Sequence, residues 1–153
     1  MAEPKVKKES APETGGQMLR DLKAHHNMFW TSVQDFHLEP LLNRAYQDPK
    51  KSGLIRAWLG KAPRKTVLIR QPDFYCDPLL IEFTAEGWTA TVLEGEPAPP
   101  VEVELSAMHL GLISLSESVS EFMFGMLRGN FKLPLLFKNL RDHYYAMRIF
   151  LGG

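Results

Sequence analysis

Cysteine is almost missing from this chain. Cys76 is the only one among 153 residues. A single thiol excludes an internal disulfide and the multi-cysteine zinc patterns, so a reducing, cytoplasmic setting is the expectation. Long apolar runs are missing too: no stretch reaches the length needed to span a bilayer. The N-terminus, MAEPKVKKESAPETGGQ, lacks the apolar core of a secretion signal and mixes acids among its lysines, so residues 1–16 read as a disordered tail. No GxSxG, HExxH or phosphate-loop pattern occurs. There is no internal repeat, and nothing in the sequence sets an oligomeric state.

Charge is balanced in total and unbalanced along the chain. Eighteen Lys and Arg face eighteen Asp and Glu. Yet residues 50–70 carry seven basic side chains and no acid, while residues 71–127 carry ten acids and no Lys or Arg. Two consequences are open. The blocks can meet in the fold and neutralise each other, or the basic block can face an anionic membrane surface or an acidic partner. For the second case the surface residues are Arg56, Trp58, Lys61, Arg64 and Lys65. LIRAWLG places Trp58 beside Leu54 and Leu59 on one side of a short helix, a pattern suited to interfacial docking and equally to plain packing. The block has no run of alternating aromatics, so nucleic acid is not an expected partner.

Periodicity divides the chain. Leu19, Leu22, His26, Phe29, Trp30, Val33 and His37 follow helical spacing, and Pro40 is expected to break that helix. Asp48-Pro49 ends this stretch, and the next helix should stop at Gly60. The period then changes to two. Residues 66–70 read as a strand. LLIEF and WTATV flank the turn AEG as a β-hairpin, and Val101, Val103 and Leu105 alternate in a further antiparallel strand. Ser106 should cap a helix to about Ile113, and Ser118 with Glu121 reads as a capping box. Residues 124–128 suit a last strand. Asn130 as N-cap and Pro134 in the first turn should open a final helix carrying Leu136, Leu140, Tyr144, Met147 and Leu151 on one face. The expectation is an α+β domain: N-terminal helices over 17–63, and over 64–153 a mostly antiparallel sheet of about five strands covered by helices on one face.

Several of these stretches together carry a resemblance. EFTAEGWTATVLEGE is similar to the central hairpin of the sterol carrier protein 2 family, in which a tryptophan opens the second strand. VEVELSAMHLGLI resembles its next strand and the Ser-Ala that starts a helix, and LRGNFKLPLLFKNLRD resembles its final strand, glycine and last helix. The helical lead-in resembles that of bacterial accessory proteins of quinone biosynthesis. The resemblance covers a little under half of the chain. It implies an apolar tunnel between sheet and helices, binding of sterols, acyl chains or other lipids without chemistry, no cofactor, and a membrane or partner enzyme as the destination of the ligand.

The residues between Met108 and Phe137 are rich in Met, Phe and Leu, which suits either a filled core or walls that accept varied apolar ligands. For a lipid cavity the candidate lining is Ile81, Phe83, Val92, Leu112, Phe122, Met123, Met126 and Leu136. The alternative reading is a small adaptor subunit with a filled core and a charged partner surface. An enzyme is not expected. His25, His26, His37, His109 and His143 have no neighbouring thiolate or carboxylate set that would make a metal site. Asp142 and His143 are adjacent on a helix and point apart. Cys76, beside Asp77, has no activating base.

Overall fold

The computed structural model describes residues 14–71, 76–118, 120–124 and 139–151; the side chain of Leu112 is outside this description, as are Met126 and Leu136. Helix α1 spans Thr14–Val33 and runs without a break into a π-helical turn, Gln34–Leu38, and then α2, Glu39–Gln47. Pro40 therefore does not split the helix as expected. Proline has no N–H and its ring crowds the carbonyl four residues back. The wider turn accommodates both: the Glu39 N–H donates to the Gln34 carbonyl, five residues back, just before the proline enters the helix.

Helix α3 spans Pro49–Leu59. Asp48 caps it by accepting the Lys51 N–H at 2.9 Å, Pro49 occupies the first turn, and Gly60 ends it at a positive φ of 56°. Strands β1 (Lys65–Arg70), β2 (Leu79–Phe83), β3 (Trp88–Val92) and β4 (Val103–Ser106) follow. Next are α4 (Ala107–Leu115), a short helical segment at 120–124 and α5 (Leu140–Phe150).

Among the described residues the sheet has four strands in the order β3-β2-β1-β4. The hairpin β2–β3 is antiparallel, as the sequence indicated, with Phe83 opposite Trp88 and Ile81 opposite Ala90. Strand β4 departs from expectation. It pairs parallel to β1, at the opposite edge from β3, with Val67 opposite Val103 and Ile69 opposite Leu105. The sheet is mixed, not a meander. The connection from β3 must cross three interstrand spacings, roughly 14 Å at about 4.8 Å each. Its proline-rich sequence favours an extended path of about 3.1 Å per residue, ample for that span. It does not cross as bare loop: Leu93 and Val101 pack on Leu68 and Leu80 and close the back of the sheet.

The front carries the main core. Val67, Ile69, Leu79, Ile81, Phe83, Val103 and Leu105 cluster there with Trp30, Leu42, Ile55, Trp58, Ile113, Phe122 and Phe150 from the helices. The N-terminal helices thus share one core with the sheet. The parity of β2, β3 and β4 agrees with the alternation in the sequence. The expected tail is, up to residue 13, outside the described residues. Phe124 is helical rather than the start of a fifth strand, because the turn that Ser118 caps continues through it. The rest of the expected strand and the Asn130 cap lie outside the described residues.

Candidate functional site

Five of the eight candidate cavity residues meet in the front core. Ile81, Phe83 and Phe122 are fully buried, and Val92 and Met123 are partly buried against them. They come from β2, β3 and the segment 120–124, which are far apart in sequence. Local chemistry positions that last segment. The Ser118 hydroxyl accepts the Glu121 N–H at 3.1 Å, and the Glu121 carboxylate accepts the Glu117 N–H at 3.0 Å, one residue earlier than a standard capping box. Phe83 has protein on two sides: Trp58 edge-on at 5.4 Å between ring centroids and Phe150 at 6.1 Å. Around Phe83 the space is filled by side chains. At Met123, with exposed Phe124 next to it, the cluster meets solvent.

The final helix covers the cluster with a face turned from the one expected: Met147 points inward and Leu151 packs partly buried, as expected, but with His143, Ala146 and Phe150 inward, while Leu140 and Tyr144 are exposed. Two polar contacts set this rotation. Asp142 accepts the indole N–H of Trp58 at 2.8 Å, and Asn139 donates its Nδ2 to the Glu102 carbonyl at 3.0 Å. His143 Nδ1 lies 2.8 Å from the Asn139 carbonyl and so carries the proton. Its Nε2 is buried without a partner among the described residues.

Of the five surface candidates in the basic block, Arg56, Lys61 and Arg64 are exposed, Lys65 is half-buried and Trp58 is buried. Trp58 is only 3% exposed and is tied to Asp142, so it is not available to a membrane. Lys65 is half-buried and also reaches Asp142, at 3.4 Å. Arg64 pairs with Glu82 at 3.5 Å, and Arg70 pairs with Glu104. Here the basic and acidic blocks meet and neutralise each other across the sheet. Arg56 and Lys61 are exposed.

One polar node was not anticipated. Asp77, with a side chain 7% exposed, accepts Lys23 Nζ at 2.7 Å, Asn27 Nδ2 at 2.9 Å and the Gly95 N–H at 3.4 Å. Its own N–H donates to Asn27 Oδ1 at 2.8 Å, and Trp30 Nε1 donates to its carbonyl at 2.7 Å. Burial opposes the charge, but the hydrogen bonds and the ammonium outweigh it and hold the carboxyl below its usual pKa. A cleft of about 520 Å³ opens beside the node, lined by Leu19, Arg20, Lys23, Asn27, Glu94 and Gly95, among others. The only trace of it in the sequence is Lys23, Asn27 and Trp30 at helical spacing on an otherwise apolar side. The neighbouring Cys76 thiol is pushed up by burial and then by the Asp77 charge, the reverse of what a nucleophile needs.

His37 and His109 serve structure. His37 Nε2 lies 2.8 Å from Ser114 Oγ, joining the π turn to α4. His109 completes the capping box of α4: Ser106 accepts the His109 N–H, and His109 Nδ1 accepts the Ser106 N–H, both at 3.1 Å. Among the described residues no group of three His, Cys, Asp or Glu could hold a metal, and no helix is long and apolar enough to cross a membrane. No family model, no curated protein and no solved structure matches this chain.

Proposed function

We propose that the protein binds a hydrophobic molecule, an isoprenoid, fatty acyl chain or sterol-like lipid, between the sheet and the helices that cover it, without chemistry of its own, and delivers it to an enzyme or membrane. The observation that carries this reading is the convergence of Ile81, Phe83, Val92, Phe122 and Met123 on one apolar cluster that meets solvent at Met123. The resemblance of the hairpin, the Ser-Ala helix start and the final helix to sterol carrier protein 2-like domains points the same way. Affinity would come from burying CH₂ groups at about 0.8 kcal/mol each, so discrimination among apolar tails should be modest. The ligand would enter beside Met123, where a flexible thioether adapts to different shapes, and would have to displace the side chains that fill the space around Phe83.

Native mass spectrometry of protein purified from cells, followed by organic extraction, tests this. An apolar species at near-stoichiometric level, lost in Met123→Trp while the fold is retained, is the expected result. An apo mass together with no uptake of a fluorescent fatty acid or quinone analogue would overturn it.

A further inference from the structure

Parts of the chain that are far apart in sequence meet at a cleft of about 340 Å³. The first turns of α3 bring Lys50, Lys51 and Leu54 to it, the end of α5 brings Arg148 and Leu151, and Glu117 lines it as well. Lys51 joins the two helices. Its Nζ donates to the Leu151 carbonyl, so the side chain leaves α3 and ends against α5. Lys50, next to it in the chain, is exposed.

A surface lysine is ordinarily an ammonium and has no lone pair to give. The surroundings of Lys51 work against that charge. Burial is the larger cause, the Arg44 guanidinium adds to it and Asp48 opposes both, and the result is an amine held below its ordinary value of 10.5. Asp48 also faces the backbone, where it accepts the Lys51 N–H at 2.9 Å. Desolvation and a neighbouring cation are the two conditions that make a lysine nucleophilic. A neutral amine can keep its bond to Leu151 through one N–H and still offer its lone pair to an electrophile.

The rest of the cleft indicates which electrophile fits. Lys50 and Arg148 supply an ammonium and a guanidinium, both of which favour phosphate oxygens. Leu54 and Leu151 supply apolar wall for a short carbon chain. An acyl phosphate presents a phosphate, a carbonyl carbon and such a chain in one small molecule.

We propose that Lys51 is an acylation site, and that its donor is a small acyl phosphate whose phosphate is held by Lys50 and Arg148. The neutral Nζ adds to the acyl carbonyl carbon. The bond from that carbon to the phosphate oxygen breaks, inorganic phosphate leaves with the electron pair, and the nitrogen gives up a proton to water. The product amide keeps an N–H for the Leu151 carbonyl and loses the charge. That removes a cation from the C-terminal end of α5, where the helix dipole favours one. The site does not depend on lipid binding and stands or falls separately.

The test is acetyl phosphate added to the full chain, followed by peptide mass spectrometry with fragmentation that separates Lys50 from Lys51. Lys51 should be acetylated several-fold faster than Lys50, and the preference should vanish when the chain is unfolded in urea. Arg148→Gln should slow acetylation of Lys51 by acetyl phosphate and leave its reaction with an uncharged donor, p-nitrophenyl acetate, unchanged. High salt on the wild type should discriminate between the two donors in the same way, with no variant needed. Equal rates at Lys50 and Lys51, or a preference that survives urea, would overturn the acylation site. An acetyl phosphate rate that ignores both Arg148→Gln and salt, or a loss that is the same for both donors, would overturn the acyl phosphate as its donor.

Discussion

Helices α1 and α5 are both amphipathic by sequence, and the fold treats them differently. Over eleven residues α5 buries His143, Ala146, Met147, Ile149 and Phe150. Over twenty residues α1 buries only Trp30 completely and leaves Met18, Leu19, Leu22 and Met28 in water. The difference lies in what each helix crosses. Helix α5 lies against α3 and the front of the sheet, held there by the Trp58–Asp142 bond. Helix α1 meets the rest of the chain near its C-terminal end, where Asn27 and Trp30 hydrogen-bond to Asp77. An apolar stripe shows that a helix can pack; its place relative to the sheet decides whether it does.

The sharpest way to break this contrast is to cut into the shared core. Phe83→Ala, which removes the ring between Trp58 and Phe150, should cost about 3–5 kcal/mol, read as a lower urea midpoint. If it costs as little as an exposed site, the front core is not the stabilising centre.

The anchor of α1 comes next. Asp77→Ala should cost about 2 kcal/mol, because Asn27, the Gly95 N–H and Lys23 lose their acceptor. The folded carboxyl titrates below its ordinary value of 3.8, so its contribution is complete above that pH and is lost as pH falls through the folded value. The wild type should therefore lose stability in acid more steeply than Asp77→Ala; parallel curves would mean that Asp77 is not the anchor.

A smaller effect is expected at the hairpin. The Tyr46 hydroxyl lies 2.8 and 2.6 Å from the carbonyls of Thr84 and Gly87 and shares its one proton between them, tying α2 to the turn. Tyr46→Phe should cost about 1 kcal/mol. Burial is the main reason that the phenol is raised from 10.0 to about 12. Its contribution is full below 10.0 and is lost as pH rises through about 12, since the unfolded chain ionises first. The Phe variant should show a flatter alkaline limb in the same titration.

The smallest effects belong to the exposed side chains. Leu22→Ser and Phe36→Ser should change stability by no more than about 0.5 kcal/mol. A larger loss in thermal melts would show that these residues pack in solution.

Much of the architecture was legible from short-range patterns. The alternation of LLIEF and WTATV, with Ala-Glu-Gly between them, names the hairpin and its inward side, because successive side chains in a strand must alternate. Ser106 and Gly60 mark helix ends because a hydroxyl can accept an orphan N–H and a glycine tolerates positive φ. The candidate apolar residues of β2 and β3 were legible for the same reason, each lying at an inward position of its strand, whereas Phe122 and Met123 stood out only by the Met- and Phe-rich composition around them.

What remained hidden depends on contacts between distant positions. Parallel pairing of β4 with β1 cannot be read from Val103 and Leu105, since their alternation is the same whichever edge they join. The inward side of α5 is set by Trp58 and Glu102, neither of them local to it, so the Leu140–Tyr144 stripe was misleading. The Asp77 node joins residues about fifty positions apart. Local sequence therefore determined the hairpin, the ends of α3 and the start of α4, and the side that β2, β3 and β4 turn inward, because those depend on backbone geometry within a few residues. Only the tertiary structure decided the order of the strands, the rotation of α5, the burial of Trp58 and the exposure of Phe36, because each rests on which surfaces meet when the chain closes on its core.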